Sequence, residues 1–185
     1  MAFVIALTVL FGALSLFNIV LTVGLVRRIR GMDAGPSPVT APPAGLPAVM
    51  RTAGERVEAF ESVTVRGETV SERFLSRGPV LAGVFAHGCS ACHELLPGFL
   101  SLIESEGYSR DRVLVTLVGR PAELADDVRQ LDPVATVVVE GRRGTVARAL
   151  GVKAYPALAV IDAGGTVRAS GPGIDSLSAA VTESV

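Results

Sequence analysis

The two cysteines of the 185-residue chain, Cys89 and Cys92, lie in the stretch Val84-Phe85-Ala86-His87-Gly88-Cys89-Ser90-Ala91-Cys92-His93-Glu94. Two thiols at this spacing suit three kinds of chemistry: reversible closure of a disulfide, thioether attachment of a haem through Cys-x-x-Cys-His, and metal ligation with His87 and His93. The elements on either side must position them. An apolar run at 80–85 leads in with strand character, and Leu95, Leu96, Phe99, Leu100 and Ile103 follow at helical spacing. Cys89 therefore falls where a strand hands over to a helix. The first N–H groups of a helix have no intrahelical partner and the macrodipole adds partial positive charge, so a thiolate there is stabilised and Cys89 is the expected nucleophile. Cys92, one turn further in, is close enough to close a disulfide and is expected to be the less exposed, resolving thiol.

The rival chemistries have less around them. A haem needs a second axial ligand, and the candidates are His87, too close in sequence, or Met1, Met32 and Met50, outside the expected folded domain. For zinc, His87, Cys89, Cys92 and His93 are crowded together, whereas structural zinc draws its ligands from two separated pairs. Two inert buried thiols would have no need of a strand-to-helix junction. No metal and no cofactor beyond the cysteine pair is expected. A c-type haem protein, or a binding module whose cysteines do not turn over, stays as the alternative.

With 17 basic and 18 acidic residues the formal net charge is -1, which argues against a nucleic-acid partner. The length suits one well-buried domain, and two cysteines make no disulfide framework.

The organisation divides into residues 1–30, 31–50 and 51–185. Residues 2–26 carry no charge and would span roughly 37 Å as a helix, enough to cross a bilayer, so a transmembrane anchor is expected. A cleaved signal would show a basic start and a small-residue cleavage site, and neither is present. Arg27, Arg28 and Arg30 follow the span directly, which by the positive-inside rule puts the rest of the chain in the cytoplasm. Residues 31–50, with Pro36, Pro38, Pro42, Pro43 and Pro47, read as a spacer. From there, strands are expected at 57–65, 80–85, 112–118 and 134–139, with a hairpin of 157–161 and 166–169 around Asp162-Ala163-Gly164-Gly165. Helices are expected at 72–76, after Cys89 with a kink at Pro97, at 121–131, at 144–150 and at 174–181. This alternation predicts an α/β fold with a mixed central sheet flanked by helices.

Several features in order resemble the thioredoxin-like thiol-disulfide oxidoreductases, in particular their membrane-anchored TlpA and MauD-like branch. They are the lead-in at 54–60 with Gly67, the Cys89–Cys92 pair after a strand, Pro97, and Leu150-Gly151-Val152-Lys153-Ala154-Tyr155-Pro156 before a terminal hairpin. The resemblance implies a cis peptide before Pro156, a loop facing the cysteine pair, and a substrate groove lined by Ala154 and Tyr155. It also implies exchange of disulfides with protein substrates and a membrane or soluble redox partner. Reduction is the expected direction, but Ser90-Ala91 is neither the Gly-Pro of thioredoxin nor the Pro-His of a strong oxidant and leaves disulfide donation open. It places the redox domain outside the cytoplasm, against the arginine flank. Two departures stand out. Gly88 occupies a position that is often tryptophan, and no acidic residue interrupts 80–85, so proton transfer or thiolate tuning would fall to His87, His93 or Glu94.

Overall fold

The computed structural model describes residues 48–177 and Ala180. The apolar run at 2–26, its arginine flank and the spacer up to residue 47 lie outside the described residues. So does most of the helix expected at 174–181, of which a 3-10 turn, Ile174–Ser176, and Ala180 are described. Among the described residues no helix is long and apolar enough to cross a membrane.

Strands β1 (Glu61–Val63) and β2 (Thr69–Ser71) form a two-stranded antiparallel ribbon. Strands β3 (Val80–Ala86), β4 (Val113–Val118), β5 (Thr136–Glu140), β6 (Ala157–Ile161) and β7 (Val167–Gly171) form one sheet of order β5-β4-β3-β6-β7. β3, β4 and β5 run parallel, while β6 and β7 are each antiparallel to the preceding neighbour in that order. The helices are α1 (Ser90–Ser105), α2 (Ala125–Leu131) and α3 (Thr145–Ala149).

The inner strands are apolar at every position but Thr116 of β4, because both faces of the sheet are covered. Alternate side chains go to opposite sides. Leu81 and Phe85 of β3 with Val113, Val115 and Leu117 of β4 pack under α1 and α2, against Leu96, Phe99, Ile103 and Leu131. Val80, Ala82 and Val84 with Leu114 and Val118 pack on the other side, against Val146, Leu150, Phe60 and Phe74. α1 runs unbroken through Pro97, which cannot donate to the carbonyl one turn back.

Two expected elements differ. The strand expected at 57–65 shrinks to β1 because its two ends serve other edges. The Val57 N–H bonds Gly165 O at 2.9 Å, while Thr64 bridges Val138 and the Val65 N–H bonds Val137 O at 2.9 Å, which covers the exposed edge of β5. The helix expected at 121–131 is a 3-10 turn, Pro121–Glu123, followed by α2. Leu124 leaves helical geometry between them, at φ -107° and ψ 5°, and is buried in the core.

The covered edge is clamped by charge. Asp132, just past α2, accepts from Arg66 Nε at 2.8 Å, and Arg110 Nε donates to its carbonyl at 2.9 Å. The Arg66 hydrogen bond, reinforced by Arg110, holds the Asp132 carboxyl below its usual range. A carboxyl depressed in the folded state stabilises above its unfolded pKa, and that contribution disappears as the pH falls through the lower folded value. Because Arg66 is half exposed, Asp132→Asn is expected to cost no more than about 1 kcal/mol at neutral pH. The cost should shrink as the pH falls below the ordinary Asp value of about 3.9 toward the lower folded one, and urea unfolding at pH 7 and pH 3 checks both. An equal cost at the two pH values would show that the clamp is not ionic.

Candidate active site

β3 ends at Ala86, and the His87 N–H still bonds Val118 O of β4 at 2.9 Å. The chain then turns tightly, with the Cys89 N–H on Ala86 O at 3.3 Å, through Gly88 at φ +73°. Only glycine takes that backbone region without strain, which explains why no tryptophan stands before the first cysteine here. Cys89 is the N-cap of α1, at φ -93° and ψ 106°, and its Sγ accepts from the Cys92 N–H at 3.2 Å. Its carbonyl takes the N–H groups of Cys92 at 3.1 Å and His93 at 3.2 Å. Both ends of the capping residue thus point at the start of the helix, the arrangement that favours negative charge on the sulfur.

The two cysteines are joined in a disulfide with their Cα atoms 5.2 Å apart. Cys92 is 4% exposed and packs in the core under α1, whereas Cys89 is half-buried at the surface. An incoming group can therefore reach Cys89 and not Cys92. The disulfide also engages both sulfurs that a thioether-linked haem would require.

The second half of the site comes from β6. Val84 pairs with Ala157, so the residue before Ala157 lies at the end of the sheet where β3 releases the cysteine loop. That residue is Pro156, buried, and the Tyr155–Pro156 peptide is cis. Tyr155 is half-buried and packs against the cores on both faces of the sheet, and burial pushes its phenol above the usual range. Ala154 is exposed, but its N–H is already taken, at 3.2 Å, by the Val49 carbonyl, which also takes the Lys153 N–H at 2.7 Å. The Ala154 N–H is therefore not available to an incoming chain.

The three candidates for proton transfer lie around Cys89 in different settings. His87 is exposed, with Nε2 4.0 Å from Glu123 Oε2. Arg120 also holds Glu123, and its hydrogen bond keeps that carboxyl below the usual range. His93 and Glu94 are exposed on the first turn of α1, and their side chains form no hydrogen bond or ion pair among the described residues.

Glu123 and Arg120 escape sequence reasoning, as do Glu140 and Arg142, because they stand far from the cysteines in the chain. Parallel pairing brings their strands' carboxyl ends level with Ala86: Ala86 faces Val118, and Val118 faces Glu140. Residues just past the carboxyl ends of parallel strands are where open α/β sheets build their sites, and that was the signal available. Glu140 Oε1 accepts from the Ala147 N–H at 2.8 Å and Oε2 from the Val146 N–H at 3.2 Å, so its carboxylate is committed to α3.

A parallel β3-β4-β5 unit, two antiparallel strands, a cysteine pair at the head of α1 and a cis-proline loop beside it define the thioredoxin-like fold. Solved structures agree. The thioredoxin domain of a thiol-disulfide oxidoreductase from Bacteroides vulgatus superposes with a TM-score of 0.59 at 17% identity, over 72% of this chain and 97% of that one. A thio-disulfide isomerase from Thermus thermophilus gives 0.57 at 19% identity, over 72% and 97%. The pneumococcal exposed lipoprotein thioredoxin from Streptococcus pneumoniae gives 0.52 at 25% identity, over 68% and 99%. No protein-family model and no curated protein sequence matches the chain.

Proposed function

We propose that the protein is a membrane-anchored thiol-disulfide oxidoreductase that reduces disulfides in protein substrates. The observation that carries this reading is an accessible sulfur at the N-cap of α1 joined to a buried one a turn inside, beside a cis-proline loop. In the reduced protein the Cys89 thiolate attacks one sulfur of the substrate disulfide and displaces the other as a thiolate. Cys92 then attacks Cys89 Sγ, the second substrate thiol leaves, and two electrons have passed to the substrate as the Cys89–Cys92 bond forms. The substrate chain lies across Tyr155 and Pro156, and His87, whose Nε2 is 4.0 Å from Glu123 Oε2, serves proton exchange near Cys89. A second redox protein, in the membrane or in solution, returns the pair to the dithiol.

The charge-free run at 2–26 supports the anchor. The resemblance to the TlpA and MauD-like branch supports a domain on the extracytoplasmic side, where disulfides persist. Equilibrating the full chain in uncharged detergent against glutathione redox buffers tests the direction. A potential near or below about -250 mV is expected of a reductant, and one near about -120 mV would make the protein a disulfide donor. Failure to form any reversible disulfide would remove the exchange reading.

A further inference from the structure

The loop that follows β5, Gly141-Arg142-Arg143-Gly144, opens at the same end of the sheet as the cysteine pair, since β5 runs parallel to β4 and β4 to β3. Arg142 and Arg143 are both exposed. Neither side chain forms a hydrogen bond or ion pair with any described residue. Arg51, Arg66, Arg110, Arg120 and Arg129 each pair with a carboxylate; among the described residues Arg56, Arg73 and Arg148 do not, but none of those three lies in a loop at the carboxyl end of β3, β4 or β5.

Two acids at this end of the sheet already have partners. Glu140, its immediate neighbour, has both oxygens on the N–H groups of α3, and Glu123 is held by Arg120. Lys153 adds a further exposed cation just before Ala154. The loop and the Tyr155–Pro156 peptide lie at the same end of the sheet, and there the Arg142 charge opposes, and the Glu140 charge reinforces, the effect of burial on the Tyr155 phenol. Glu94, on the first turn of α1, is the exposed acid on the other side of the cysteines.

We infer that Arg142 and Arg143 form a specificity site that steers an acidic segment of the substrate protein, next to its disulfide, onto the Tyr155–Pro156 loop. This rests on the exchange reading and adds to it the charge of the substrate. Two guanidinium groups without an ion pair at the cysteine end of the sheet raise the encounter rate with acidic partners and lower it with basic ones, by an amount that salt screens.

The test uses the reduced full chain in uncharged detergent with three probes. Two are synthetic peptides with one internal disulfide, identical except that the three residues flanking the cysteines are Glu in one and Lys in the other. The third is the neutral bis(2-hydroxyethyl) disulfide. Acid-quenched time points give the rates. At low salt the acidic peptide is expected to react about tenfold faster than the basic one, and the ratio should fall toward one in about 0.5 M NaCl. Arg142→Glu/Arg143→Glu should invert the ratio, and Arg142→Gln/Arg143→Gln should give a value between. A ratio near one in the natural protein at low salt, or an unchanged ratio in the Glu variant, overturns the inference while exchange with the neutral probe stands. If even the neutral probe is not reduced, the exchange reading itself fails and takes the specificity site with it.

Discussion

Full-length protein carrying Cys89→Ser is expected to lose disulfide reduction by at least roughly three orders of magnitude, whereas Cys92→Ser is expected to stop halfway and hold its substrate as a mixed disulfide. The asymmetry follows from burial. Cys89 is half-buried at the mouth of the site and Cys92 is 4% exposed, so only Cys89 can meet a second protein, and only Cys92 is placed to release it. A Cys92→Ser hydroxyl in that apolar pocket costs about 1–3 kcal/mol in stability, which does not touch the first attack. The measurement is non-reducing electrophoresis after incubation with a disulfide-bonded peptide. A dithiothreitol-sensitive adduct should appear with Cys92→Ser and with neither Cys89→Ser nor the double variant. An adduct through Cys92 in the Cys89→Ser protein would reverse the assigned roles.

The second large effect lies under the helix that carries the cysteines. Phe99 of α1 is fully buried, with its ring edge-on to Phe85 of β3 at 5.3 Å between centroids and 68° between planes. It sits directly over Gly83: a Cβ there would come within 2.9 Å of Phe99 Cζ and within 2.9 Å of Phe85 Cε2. The helix is therefore seated by a large ring filling the space where the strand has no side chain. This also explains why β3 holds no carboxylate on its α1 side at Gly83. Phe99→Ala is expected to cost about 3–5 kcal/mol, through lost burial and the cavity left behind. Gly83→Ala alone should cost about 1–3 kcal/mol, by overpacking. The two changes should compensate: in the Phe99→Ala background the added methyl meets open space on the helix side, and its cost should drop by about 1 kcal/mol or more. Urea unfolding of the four proteins closes the cycle, and strict additivity would show that the ring and the glycine are not one packing unit.

Much of the site is legible in the sequence because it is local. A strand, a sharp turn and a helix start are contiguous around Cys89, and each leaves its mark in a few residues: the apolar run before it, Gly88 within the turn, and the helical spacing of Leu96, Phe99 and Ile103 after it. The same is true of the terminal hairpin, whose turn at 162–165 separates β6 from β7 as expected. The resemblance added the cis peptide at Pro156, which no periodicity reveals.

What escaped the sequence depends on which strands become neighbours. The stretch 57–65 reads as one strand because its composition suits a strand throughout, yet its hydrogen bonds go to Gly165, to β2 and to β5 in turn. The approach of Glu123 to His87 comes from the alignment of parallel strand ends, and Gly83 is explained only by a ring sixteen positions further on. By itself the sequence determined the cysteine pair, its placement at a strand-to-helix junction and the α/β alternation, since these rest on short-range spacing. The helix-start position already pointed to Cys89 as the accessible thiol, and burial of Cys92 agrees. The tertiary structure alone decided which acids are already paired and which cations are left without an ion pair at the cysteine end of the sheet, because charge pairing is set by residues that pairing of distant strands brings together.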